Sequence, residues 1–266
     1  MKRFVNKNLL ALAALTLTLA ACAPGGFDTS SSKLPDDPDT EQSAGDNSGA
    51  AVVPPDSTSG SSSLGSSSSA GSSGSSSSSS GSSLTDTQIL AKYSYVDKSK
   101  TINQSMLKNA LLYYHKNLSS IKNSDYLSVL DFSLSSTKKR FHIINMKTGE
   151  VWSIHVAHGK GSDPDHDGYA NTFSNASGSN ASSIGIYKTA ETYSGNHGYS
   201  LRLDGLSKTN SNARARAVVI HGADYVSEAS VIQGRSWGCP AVTMSYRTKL
   251  IDMVKGGSVI YASATN

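Results

Sequence analysis

Residues 217–241 read AVVIHGADYVSEASVIQGRSWGCPA. The run Ala217-Val218-Val219-Ile220 is short, apolar and β-branched, the composition of a buried strand. It ends in His221-Gly222, which sets an imidazole at the end of a rigid element. A polar loop then leads into Arg235-Ser236-Trp237-Gly238-Cys239-Pro240. A cysteine is a strong nucleophile only as its thiolate, and a neighbouring histidine both lowers the thiol pKa and carries the proton. The stretch is therefore read as holding a nucleophile, Cys239, and its base, His221. Gly238 gives a ligand close access to the backbone, and the N–H groups of Gly238 and Cys239 are candidate oxyanion donors. Pro240 suits the first position of a helical turn, which would put Cys239 at the positive end of a helix dipole.

The cysteine count sharpens this reading. The chain of 266 residues has two, Cys22 and Cys239. Lys2, Arg3 and Lys7 precede an apolar run from Leu9 to Ala21, too short to span a membrane and patterned as a secretory signal. The run ends Leu19-Ala20-Ala21-Cys22, which resembles the lipobox of bacterial lipoproteins. That resemblance implies cleavage after residue 21, lipid on Cys22, and an exported protein held to a membrane. Ala23 in place of Asp points to the outer membrane if the cell is Gram-negative. Cys239 is then the single thiol of the mature chain, unable to form an internal disulfide.

Residues 22–85 are Pro-, Asp- and Gly-bearing, then almost unbroken Ser and Gly, with too few apolar side chains to offset ordering entropy. They are expected to be a disordered tether with a root-mean-square reach of roughly 40–45 Å. Charge divides the same way. Of the net +4, the leader carries three positives, and residues 22–85 carry seven acids against Lys33. Residues 86–266 therefore hold +7, consistent with an anionic wall polymer as partner. Nucleic acid is not an expected partner for an exported lipoprotein.

Residues 86–266 are long enough for one domain with a real core. Asp86 or Thr87 is expected to cap a short helix through Lys92. Asn103 or Ser105 starts a longer one whose stripe is Met106, Leu107, Ala110, Leu111, Tyr114 and Leu118. Strands are expected over 126–134, 139–145, 150–157, 184–189, 199–203, 217–220 and 258–261, with a hairpin turn at Met146-Lys147-Thr148-Gly149 and a polar loop over 159–183. A last helix covers 245–255, stopped by Gly256. The expected fold is mainly β with a few helices, sandwich- or barrel-like.

Other residues invite metals. Asp163-Pro164-Asp165-His166-Asp167-Gly168 opens like a calcium loop, but Ser174 stands where a bidentate acid belongs. His142, His155 and His158 lack a compact zinc spacing. No metal and no cofactor is expected; the Asp163–Gly168 stretch is read as a polar loop near the mouth of the cleft, and His158 as lining the cleft. His115, His166 and His197 are read as surface residues, and Trp152 and Tyr187 as core.

His221-Gly222 followed by Ser236-Trp237-Gly238-Cys239 resembles the active-site signature of the YkuD-like L,D-transpeptidases, a His-Gly, a loop, then Ser-His-Gly-Cys. The resemblance is closest to the murein L,D-transpeptidase catalytic branch. It extends to His158-Gly159-Lys160-Gly161-Ser162, Phe173-Ser174-Asn175 and Ser182-Ser183-Ile184-Gly185, and so covers most of residues 141–262. It implies a YkuD-like β domain acting on peptidoglycan stem peptides. In that chemistry Cys239 forms a thioester with the stem and passes it to an amine. His221 is base and then acid, the Gly222 carbonyl orients its ring, Ser236 supports the loop and Gly238 opens the backbone. Trp237 stands in place of the usual second His, and Pro240-Ala241 in place of an apolar-polar pair, which loosens what the signature says about substrate. Arg235, Trp237, His158 and Ser183 are candidate substrate contacts. Hydrolysis by an L,D-carboxypeptidase, a wall-anchor amidase, and a non-catalytic peptidoglycan-binding lipoprotein are the alternatives. Oligomeric state is not legible.

Overall fold

The computed structural model describes residues 84–264, so the signal, the tether and Cys22 lie outside the described residues. Helix α1 (Asp86–Lys92) starts one residue earlier than composition suggests. Thr85 is its cap, in a reciprocal box in which the Gln88 N–H donates to Thr85 Oγ1 and the Thr85 N–H to Gln88 Oε1. Helix α2 (Gln104–Lys116) begins at Asn103, whose Oδ1 accepts from the Ser105 and Met106 N–H groups. Its buried stripe is Met106, Leu107, Ala110, Leu111 and Tyr114, as the spacing requires, but Leu118, expected to continue it, lies past the helix end and is exposed.

The strands are β1 (Tyr126–Asp131), β2 (Phe141–Asn145), β3 (Val151–Ile154), β4 (Gly185–Gly195), β5 (Gly198–Gly205), β6 (Val219–Ala223), β7 (Ala241–Thr243) and β8 (Val259–Ser263). They form one sheet in the order β3-β2-β1-β8-β4-β5-β6-β7. β1 with β8 and β6 with β7 run parallel; the other neighbours are antiparallel. The two edges almost meet. Just past β3, the Ala157 N–H donates to the Ala241 carbonyl at 2.9 Å, and Gly159 bridges Ser236. The sheet is a nearly closed barrel, mainly β, as expected, with helix α3 (Met244–Val254) following β7.

Two apolar clusters explain why several strands do not alternate cleanly. Leu127 and Val129 of β1, Ile144 of β2 and Val259 of β8 pack with α2. Leu130, Phe141, Ile143 and Ile260 on the other face join Leu201, Leu203, Ile220 and Leu250, Ile251 and Val254 of α3. A strand buried on both faces loses the polar half of the period-two signal. Trp152 and Tyr187 pack against this second cluster, as their core reading predicts.

Differences from the sequence reading lie at strand ends. β6 runs on through Ala223, so His221 is inside the strand rather than at its end. β4 and β5 are longer than their apolar stretches. β7 is not foreseen at all, because three residues carry no periodicity. Pro240 therefore leads into a strand, not a helix, and α3 starts only at Met244; Cys239 does not sit at a helix N-terminus.

The turn between β2 and β3 ends at Gly149, with φ +79°, where an added Cβ would collide with the Tyr95 carbonyl. Both effects oppose any side chain here. Gly149→Ala is expected to lower unfolding stability by about 2 kcal/mol or more, measured as a lower urea midpoint at unchanged slope.

Candidate functional site

Three parallel pairs join β6 to β7: His221 with Ala241, Gly222 with Val242, Ala223 with Thr243. Cys239 stands two residues before the partner of His221. Its Sγ accepts from the Val219 N–H at 3.5 Å and approaches the Ala217 carbonyl at 3.7 Å. The sulfur thus lies against the backbone of β6, two residues along from the imidazole. His221 is buried, with Nδ1 3.1 Å from the Gly222 carbonyl. A carbonyl only accepts, so Nδ1 carries the hydrogen and Nε2 is the ring nitrogen that bears a lone pair.

The turn that carries Cys239 is held by hydroxyls. Ser236 Oγ donates to the Cys239 carbonyl at 2.6 Å and accepts from the Gly238 N–H at 3.1 Å. Ser182 Oγ accepts from the Gly159 N–H at 3.0 Å and donates to the Gly238 carbonyl at 3.3 Å. The Ser236 N–H donates to the His158 carbonyl, and the Lys160 N–H to the Ser236 carbonyl. Gly238 has φ +119°, and a Cβ there would lie 2.7 Å from the Ala181 carbonyl. Glycine is required by conformation and by space. Because the Gly238 N–H is engaged by Ser236, it is not placed as an oxyanion donor, contrary to the sequence expectation.

Beneath this turn lies a buried polar chain. Arg140, fully buried, donates through Nη2 to His158 Nδ1 at 2.6 Å, and His158 Nε2 reaches Asp163 Oδ2 at 3.0 Å. A guanidinium only donates, so Nδ1 must accept; the ring is neutral, with its hydrogen on Nε2 pointing at the carboxylate. Burial, aided by the Arg140 charge, pushes the His158 pKa down to about 4, against the pull of Asp163. Burial raises the Asp163 pKa, but hydrogen bonds from His158 and from the Gly168 and Asp167 N–H groups outweigh it and hold the carboxyl below its usual range. His158 is 1% exposed and has both nitrogens engaged, so it supports the site and does not face a ligand. Ser183 is corrected likewise: it is buried, with Oγ 2.6 Å from Tyr187 Oη. Arg235 donates through Nη1 to the Asp163 carbonyl, the role of a structural arginine. Trp237 is half-buried under the Lys160 ammonium, 4.6 Å from the ring centroid.

The candidate metal residues separate. His142 bonds to Ser153, and His155 to Glu228 and Thr137. Carboxylate oxygens of Asp163, Asp165 and Asp167 come within 4.8 Å of one another, but Asp163 is committed to His158 and two backbone N–H groups. This loop is tied to the cysteine loop through Arg235 and through His166, whose Nε2 donates to the Gln233 carbonyl. A cavity of about 590 Å³ lined by Tyr95, Tyr126 and Trp152 includes neither His221 nor Cys239.

Two residues escape the sequence reading. Arg216 ties down residues 174–181 through the Ser174 and Ala181 carbonyls at 2.6 and 2.5 Å. Burial lowers its pKa, while Tyr187 and then Cys239 partly restore it. No local motif marks Arg216; it is one of two arginines in a polar run. His197, read as a surface residue, stacks on His221 with ring centroids 4.2 Å apart and planes tilted by 32°.

The neutral His158 fixes a pH dependence. Its pKa in the fold is about 4, below the ordinary histidine value near 6.5. Between those values the unfolded chain binds a proton that the native state does not, so stability falls as pH drops through that window, by up to about 1.4 kcal/mol per unit. Urea midpoints of the wild type are expected to fall from pH 6.5 to 4.5 more steeply than those of His158→Gln. The difference between the two slopes isolates this residue from His142, whose pKa burial also lowers.

Comparison with known proteins gives a family. The family described as L,D-transpeptidase catalytic domain, YkuD_2, matches residues 98–263, a span that runs from α2 to the end of β8 and includes both His221 and Cys239. No curated protein matches. Among solved structures, Bd1075 of Bdellovibrio bacteriovorus is similar at 14% identity and a TM-score of 0.34, over 55% of this chain and 49% of that one. The chain thus spans about half the length of that protein. With a family match over well more than half of its length, the chain belongs to the L,D-transpeptidase catalytic-domain family.

Proposed function

We propose that this protein is a cysteine-dependent peptidoglycan L,D-transpeptidase. The observation that carries the reading is the Cys239 sulfur seated on β6 two residues from His221, whose Nδ1 is fixed by the Gly222 carbonyl. The Cys239 thiol gives its proton to His221 Nε2, and the thiolate adds to the carbonyl of the third stem residue, a meso-diaminopimelate in many walls. The tetrahedral intermediate collapses as the C–N bond to the terminal D-Ala breaks. His221 returns the proton to the leaving amine, and a thioester remains. An amine of a second stem then attacks the thioester carbonyl, loses its proton to His221 and releases the Cys239 thiolate, leaving a 3–3 crosslink. Ser236 and Ser182 hold the turn, and Trp237 and Lys160 flank the cysteine as candidate stem contacts.

If water replaces the amine, the same thioester makes the enzyme an L,D-carboxypeptidase; a wall-anchor amidase uses it on another bond. The family membership and the basic balance of residues 86–266 support peptidoglycan as the partner. Export and a lipid on Cys22 complete the proposal: the tether would let the domain reach the wall from a membrane, the outer one in a Gram-negative cell.

Incubation of the full-length protein with muropeptides, read by mass spectrometry, tests this. Loss of D-Ala is expected with formation of 3–3 dimers, and a carbapenem is expected to add its mass to the Cys239 peptide. Both outcomes should vanish in Cys239→Ala. Tripeptides without dimers assign the carboxypeptidase. Wall binding without turnover or adduct assigns a non-catalytic binding lipoprotein.

A further inference from the structure

The tip of the β4–β5 hairpin is built to a fixed position over His221. Gly195 pairs with Gly198, leaving Asn196 and His197 as a two-residue loop. Gly198 has φ +68°, and a Cβ there would lie 2.9 Å from Arg247 Nη1. That nitrogen donates to the His197 carbonyl at 3.2 Å. Arg247 belongs to α3, and its side chain also passes Gly222, where a Cβ would meet its Cδ at 2.9 Å. One arginine therefore packs against both the glycine whose carbonyl orients His221 and the turn that presents His197. On the same hairpin, Tyr193 is close enough to Cys239 to feel its charge and carries the Arg202 guanidinium 4.3 Å over its ring. The hairpin thus carries both His197, stacked on the imidazole, and Tyr193.

We infer that His197 is a positioning residue for His221, its ring 4.2 Å away covering one face of the base and holding the angle set by the Gly222 carbonyl. This rests on the reading of His221 as the base of Cys239. When His221 takes the thiol proton, a neutral ring against its face stabilises the imidazolium that forms. Arg247 of α3 is the charged side chain that bonds the turn, through the His197 carbonyl.

The test is the rate of iodoacetamide alkylation of Cys239 in the full-length protein from pH 4.5 to 9, followed on its own peptide by mass spectrometry. His197→Ala is expected to slow alkylation at pH 7 by about tenfold. His197→Phe, which keeps an aromatic ring against His221, is expected to restore the rate to within about twofold of wild type. If His197→Ala does not fold, His197→Ser, which also removes the ring, decides in its place. A rate within twofold of wild type at every pH in the variant without the ring, or no rescue by His197→Phe, in proteins that melt cooperatively, overturns the inference. His221→Ala separates the two levels. If it slows alkylation and the His197 variants do not, only the role of His197 falls. If it changes nothing, the pairing of Cys239 with His221 fails and this inference falls with it.

Discussion

The short parallel ladder between β6 and β7 sets everything else at the site. Its register pairs His221 with Ala241, and because Cys239 is two residues upstream, the sulfur comes to rest on the Val219 N–H. A shift of one residue would turn the side chains of β7 to the other face and rearrange the turn that enters it. Three pairs are too few to fix a register alone. The bridge from Ala157 to Ala241 pins the other side of β7, so the strand is held between β6 and the continuation of β3. Closure of the sheet and placement of the sulfur are one event.

Ala157, Ala223, Tyr225, Val226 and Ala241 pack about that ladder, and beside this apolar patch the structure uses buried polarity. Arg140, His158 and Asp163 form a chain in which every ring nitrogen and carboxylate oxygen has a partner, and Ser182 and Ser236 fasten the cysteine turn from two sides. A fully satisfied buried network rigidifies a loop more narrowly than an apolar contact, because each bond has a direction. Removing one member leaves a buried charge or lone pair without compensation. The Asp163–Gly168 loop, which has the letters of a cation site, serves this network through Asp163, Arg235 and His166.

Much of the fold was legible because much of it is local. The stripe of α2, the Asn103 cap, the Gly149 turn and the stop at Gly256 follow from spacing and from backbone preferences of single residues. Strand ends were less legible. β1, β2 and β8 are covered on both faces, so alternation fades, and β7 is held by its neighbours rather than by its own composition. Among site residues, Cys239, His221, Gly222, Gly238 and Ser236 gather in one place, whereas His158 and Ser183 proved to be support, buried and bonded within the protein.

The amino-acid sequence by itself determined which side chains are candidates for reactive chemistry, because a thiol, an imidazole and a glycine between strand and turn are recognisable wherever they stand. It also determined a β-rich domain with helices at known places. Only the tertiary structure decided which groups face one another across the chain: His197 over His221, Arg216 beside Cys239, Arg140 under His158. The reason is physical. Periodicity along a chain records how buried each face is, but the partner across a sheet or under a hairpin is chosen by packing among distant segments, and that choice leaves no mark at either residue alone.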